Sequence, residues 1–170
     1  MPQEIYIRPE TGDDETAIAD ITTKAFASTP YSNQKEALII QDLRNAGAVS
    51  LSLVAEISGE IVGHVSFSKV IIDGQDLGYY GLAPVSVLPA HQGQKIGSQL
   101  IEYGLNALKD LHAKGCVLLG EPDYYQRFGF KAEGQLILEG VPPEYFMALA
   151  FTPPLPSGIV TYHQAFADNA

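Results

Sequence analysis

The chain has 170 residues, 46% of them apolar and 18% charged, which fits one folded domain spanning 1–170 and excludes a disordered or fibrous polymer. Ten basic residues against twenty acidic ones leave a net charge of −10, so no nucleic acid is expected as a partner. The single cysteine, Cys116, excludes an internal disulfide and any multi-cysteine zinc site, and no metal is expected.

The opening "MPQEIYIRPE" lacks a basic start, an apolar run and a small-residue cleavage site. No later stretch is apolar for long enough to span a bilayer, so the expected setting is the cytoplasm, with no membrane partner. Residues 5–8 read as a short strand. In "TGDDETAIADITTKAF", Thr11 and Asp13 are candidate caps and Ile18, Ile21 and Ala25 recur with helical spacing, which predicts a first helix. "SNQKEALIIQDLRNAG" predicts a second, with Asn33 and Glu36 spaced as a capping box and Gly47 as its stop.

Val49 to Ile57, a Ser58-Gly59 turn, Ile61 to Ile72, a "DGQD" turn and Gly78 to Val87 predict three antiparallel strands in succession. "AHQGQKIGSQL" then opens an amphipathic helix whose apolar positions Ile96, Leu100, Leu105, Leu108 and Leu111 lead to a stop near Gly115. "CVLLG" reads as a short buried strand. Strand, helix and strand in that order predict parallel pairing of the segment ending at Val87 with the one beginning at Cys116. "PDYYQRFGF" suggests a short helix closed by Gly129, and strand-like runs at 136–138, 145–151 and 159–162, broken by prolines, complete the chain.

In "VSVLPAHQGQKIGSQLIEYGL" glycines and small polar residues stand where a strand hands over to a helix. Unpaired N–H groups and the positive end of the helix dipole favour an anion at such a place. The nucleotide loop GxxxxGK followed by Ser or Thr is absent, because Lys95 precedes Gly97, and Gly93 and Gly97 do not have the spacing of GxGxxG. The stretch instead resembles the GNAT superfamily of N-acetyltransferases, whose signature is a hydrophobic strand, a proline, then (Q/R)xxGx(G/A) opening a helix. Here that pattern runs from Gln92 to Gly97, with Lys95 where its first glycine usually stands. Lys95 either reaches a phosphate oxygen or points into water. "YYQRFGF" resembles the family's FYxKxGF segment, and "GEPDYYQRFGF" with "GVPPEYFMAL" is similar to a subgroup of predicted bacterial acetyltransferases.

The resemblance, which covers nearly the whole chain, implies an α+β fold: a mixed, mostly antiparallel central sheet flanked by helices on both faces, with a parallel pair at the cofactor cleft. It implies acetyl-CoA as co-substrate and an amine as acceptor. The pyrophosphate would be held by the segment opened by Gln92, through N–H groups of Gly93, Gln94, Lys95, Ile96, Gly97 and Ser98. The pantetheine arm would lie along Val85, Ser86 and Val87 as an added strand. Tyr125 would protonate the departing thiolate, the alternative being a tyrosine that merely packs beside the short helix. The general base stays open among Glu121, Asp123, His64 and water; Asp123 also suits a helix cap, and His64 a packed strand position. Cys116 is read as buried packing and His91 as an exposed loop residue, while His112 and His163 lack metal-site spacing. Tyr145, Phe146, Phe151 and Tyr162 are read as core, the alternative for some of them being the lining of the acceptor pocket. The expected activity is direct acetyl transfer to a primary amine of a small molecule, peptide or protein. The alternatives are a non-catalytic acyl-CoA-binding regulatory domain and an acyltransferase using a longer acyl-CoA. A homodimer through the apolar tail from Tyr145 to Tyr162 is a further expectation from the family.

Overall fold

The computed structural model describes residues 4–30 and 32–170, so the first three residues of the stretch read as leaderless lie outside the described residues. Strand β1 (Tyr6–Pro9) leads into helices α1 (Glu15–Phe26) and α2 (Glu36–Asn45), then β2 (Val49–Ile57), β3 (Glu60–Lys69), β4 (Ile71–Ile72) and β5 (Tyr79–Val87). Helix α3 (Ile96–Asp110) joins β5 to β6 (Gly115–Leu119), followed by α4 (Pro122–Tyr125), β7 (Leu136–Ile137), β8 (Phe146–Ala150), β9 (Gly158–Thr161) and α5 (Gln164–Asp168). The main sheet has the order β1-β2-β3-β5-β6-β8 and is antiparallel at every junction but β5–β6, while β4, β9 and β7 form a small second sheet. Among the described residues no helix is long and apolar enough to cross a membrane.

Alternation along the strands decides which helix each face receives. Leu53 of β2 with Val65 and Phe67 of β3 pack with Ile96, Leu100, Ile101, Leu105 and Leu108 of α3. Val54, on the other face, packs with Ile18 of α1 and Ile40 of α2. Gly104 lets α3 sit directly on β3, because a Cβ at that position would run into the Phe67 ring. Leu111 departs from the predicted stripe: it follows the last helical residue and is 51% exposed. The helix stops at His112, which takes a φ of +62°, and Gly115 lies inside β6 instead of ending the helix.

Helix starts differ from the sequence expectation in their partners. Gly47, at φ +65°, ends α2 as predicted, with its N–H on Arg44 O. The Asn33–Glu36 box does not form: the Glu36 carboxylate accepts from Ser32 Oγ at 2.7 Å, and Asn33 Oδ1 accepts from the Lys35 N–H at 3.0 Å. Gln34, at φ +66°, turns the chain between them. Before α1, Asp14 rather than Asp13 bonds back to the Thr11 N–H, at 2.7 Å. The Arg8 guanidinium bonds the same carboxylate at 2.7 Å and Glu56 at 2.6 Å, tying β1 to β2 and holding the Asp14 carboxyl down at about 2.

The predicted strand 61–72 divides after Lys69, because Ile71 and Ile72 leave the main sheet to pair with β9. Phe146 of β8 is buried as expected, but Tyr145 is 38% exposed and is not core. Helix α5 is an element the sequence pattern did not signal; His163 Nδ1 accepts from the Ala165 N–H at 3.0 Å to start it, and Asn169 donates to Asp42 of α2 at 2.8 Å.

Candidate active site

β5 and β6 pair in parallel only where Tyr79, Tyr80 and Gly81 face Gly115, Cys116 and Val117. Beyond that point β5 stays paired to β3 as far as Val87 opposite Gly63, while β6 follows β8. The two strands therefore part, and among the described residues no strand lies beside the edge of β5 at Val85 to Val87 on the β6 side. Val85 and Val87 turn their side chains towards α3, where Val87 also borders the cavity at the helix start, and Ser86 is buried on the opposite face, so the strand edge itself offers backbone groups. Gln92 Nε2 donates to Val87 O at 3.1 Å and folds the following loop back on the strand end.

That loop makes one 3-10 turn at Pro89–His91, passes Gly93 at φ +81° and reaches Lys95 at φ +65°, ψ +18°. Lys95 thus adopts the left-handed backbone that a glycine would take with less strain, a difference of about 1 kcal/mol. The family pattern has glycine at this position, and the lysine stands here in a conformation open to glycine. Ile96, Gly97 and Ser98 open α3, so their N–H groups have no helical carbonyl to bond. A cavity of about 340 Å³ lies against them, lined by Gly93 and by Lys95 to Ser98 on the loop side, Val87 and His91 at the strand end, and Tyr124 and Arg127 from α4 and the turn after it. Among the described residues no acidic side chain lines it, although the chain carries a net charge of −10. A methyl on Gly97 would meet Tyr124 and Val87 at ordinary contact distance, so the cavity wall at Gly97 has room for one.

Of the loop residues expected to bind, Gln94 is exposed and lies outside this lining. His91 was expected in solvent but is half-buried in the cavity wall, and its Nδ1 has no hydrogen-bond partner among the described residues. Tyr124 and Arg127 were not singled out from the sequence, although a spacing of three places them on one side of a helical turn. Tyr124 Oη lies 3.0 Å from Ser98 Oγ, and the Arg127 guanidinium sits 4.6 Å from the centre of the Tyr124 ring.

Tyr125 points elsewhere. Its ring meets Tyr124 and Phe130 edge-on at 4.9 and 6.2 Å between centroids and fills the space left by the missing side chain of Gly120, just past the end of β6. Burial pushes its phenol up to about 12. Glu121 and Asp123 are exposed at the start of α4, where Glu121 occupies the N-cap position and Asp123 the first turn. His64 is fully buried on the α1 side of the sheet, its Nε2 is 2.7 Å from Ser52 Oγ, and burial pushes its imidazole down to about 3. The structure therefore separates His64 from the cavity. Cys116 is fully buried and burial pushes its thiol well above the usual range, as suits a packed residue.

Residues 49–132, from β2 through the "YYQRFGF" segment, match the family model described as an acetyltransferase (GNAT) domain. The chain is 36% identical over 128 residues to the N-acetyltransferase YhbS of Escherichia coli, covering 75% of this chain and 74% of that one. It is similar to the crystal structure of a GNAT family acetyltransferase from Brucella melitensis in complex with acetyl-CoA, at 49% identity and a TM-score of 0.88, covering 97% and 99% of the two chains. It is also similar to the structure of Escherichia coli YhbS in complex with CoA, at 31% identity and a TM-score of 0.90, covering 98% and 94%. Taken with the parted β5–β6 pair and the N–H groups at the start of α3, these matches show that the chain belongs to the GNAT family of acetyltransferases.

Proposed function

We propose that the protein, as one domain over 1–170, binds acetyl-CoA and moves its acetyl group directly to a primary amine of a small molecule, peptide or protein in the cytoplasm. The observation that carries this reading is the cavity against the first turn of α3, walled by backbone donors and free of acidic side chains. The acetyl-CoA and CoA held by its structural relatives support it.

On this reading the pyrophosphate accepts N–H groups between Gly93 and Ser98, and the pantetheine arm runs along the free edge of Val85 to Val87. The neutral amine attacks the thioester carbonyl, and the oxyanion that forms is stabilised by an N–H of the same strand end. The C–N bond forms, the C–S bond breaks, and the amine proton leaves to Glu121, Asp123 or water. The sulfur takes a proton from Tyr125, whose phenol, raised to about 12, stays protonated through the physiological range. Tyr124 is tied to Ser98 at the phosphate end of the cleft, which suits binding; Tyr125, beside Gly120 at the end of β6, suits proton donation at the thioester end.

Calorimetry with acetyl-CoA, followed by CoA release over a panel of amines, tests this with wild type and Tyr125→Phe. Equal binding by both, with turnover in the variant lower by roughly 100-fold or more, is expected. The rate should climb with pH towards the pKa of the acceptor amine and show no falling limb below the raised Tyr125 pKa. Binding by wild type without turnover on any amine would leave a regulatory acyl-CoA-binding domain, and faster turnover with longer acyl-CoAs would change the donor.

A further inference from the structure

Resting on that reading, we propose that Arg127 is a phosphate ligand of the cofactor, held ready by stacking on Tyr124 and donating its N–H edge to a CoA phosphate oxygen. Arg127 borders the same cavity of about 340 Å³ as the open N–H groups of the α3 start, so an anion seated on those groups lies within its field. Its guanidinium carbon is 4.6 Å from the Tyr124 ring centroid. A stacked guanidinium presents its flat face to the ring and keeps its rim of N–H donors for oxygen anions.

The stack is itself anchored. Tyr124 Oη lies 3.0 Å from Ser98 Oγ, and its ring meets Tyr125 and Phe128 edge-on. Charge argues the same way. In a chain with twice as many acidic as basic residues, the other two arginines, Arg8 and Arg44, both pair with carboxylates. Arg127 makes no ion pair among the described residues, even though the neighbouring hollow that it also borders contains Glu102. An arginine left unpaired on an acidic protein, beside a wall of backbone donors and with no carboxylate in the cavity, is placed to take an anion from outside.

CoA offers two such anions, the pyrophosphate and the 3′-phosphate, with the same oxygen chemistry. The test is calorimetry of wild type, Arg127→Ala, Arg127→Lys and Tyr124→Leu with CoA, dephospho-CoA and S-acetylpantetheine. Arg127→Ala should raise the Kd for CoA roughly 10-fold to 100-fold, the range for a charge-assisted hydrogen bond, and the ratio should shrink as salt is added. Arg127→Lys and Tyr124→Leu should give intermediate losses, one keeping the charge without the fork and the other the fork without its support. A loss that persists with dephospho-CoA assigns the pyrophosphate; one that vanishes assigns the 3′-phosphate. An unchanged Kd for CoA in Arg127→Ala overturns the proposal, as does an equal loss with S-acetylpantetheine, which has no phosphate. Wild type that fails to bind CoA would overturn the proposed function itself, a result distinct from the loss of the arginine alone.

Discussion

On the face that carries α3, strands β2 and β3 present Leu53, Val65 and Phe67 to a helix of leucines and isoleucines, whereas under α1 the same strands present Ser52, His64 and Ser66 around Val54. The first face is dry and so closely seated that a methyl on Gly104 would collide with Phe67. The second carries His64 bonded to Ser52, Ser66 donating to Ala83 O, and three buried polar atoms, His64 Nδ1, Ser68 Oγ and Ser86 Oγ, without partners among the described residues. The contrast has a functional side. Helix α3 carries the open N–H groups at its start, so the apolar face fixes where the anion site stands. The polar face makes stability depend on protonation and pins the register, because a slip of one residue would push His64 and the serines into the leucines.

Breaking the apolar face should have the largest effect. Leu100→Ala removes a fully buried side chain from the α3 seat and should lower stability by about 2–5 kcal/mol in urea unfolding, with weaker acetyl-CoA binding as the helix start loosens. A loss below 1 kcal/mol would mean that this face is not the rigid one.

The polar face should show itself through pH. His64 titrates near 3 when folded against an ordinary value of 6.5, so the folded state disfavours its proton. The stability this confers is full above pH 6.5 and falls by about 1.4 kcal/mol per pH unit below it, until the folded pKa is reached. His64→Gln should be less stable at pH 8 but lack that slope between pH 6.5 and 5. An unchanged slope would move the titration to other groups.

The smallest effect is expected where the two faces meet the site. Lys95→Gly exchanges a strained left-handed residue for one that takes the conformation freely, offset by the greater freedom of glycine in the unfolded chain, for a net gain of about 0.5 kcal/mol. A lower melting temperature would show that the lysine side chain holds the loop by more than its backbone strain costs.

The apolar face was the legible one. The helical spacing from Ile96 to Leu108 and the strand–helix–strand order around it were enough to place α3 and the parallel pair, because burial imposes a period that survives in the residues themselves. What escaped were choices among near-equal local partners. Ser32 and Asn33 both offer oxygens to the start of α2, and the left-handed turn at Gln34 decides which groups each one meets. Tyr124 and Tyr125 are chemically alike, and only the direction of a four-residue helix sends one to Ser98 and the other to Gly120. Arg127 stands at the basic position of the FYxKxGF pattern, but that pattern does not say what the side chain faces; its meaning comes from the cavity that another part of the chain builds. The division of residues 61–72 was hidden because Ile71 and Ile72 suit either sheet, and their partners in β9, Thr161 and Val160, lie far along the chain.

Cys116 faces Tyr80 in the stretch where β5 and β6 still touch, fully buried and with its thiol held neutral. As the chain's single thiol, it works as a clock set in the core beneath the cleft. A reagent that reacts with thiolates can mark it only in moments when the core around it opens. The labelling rate of the native protein therefore times that opening, and any molecule that stabilises the closed core will slow it.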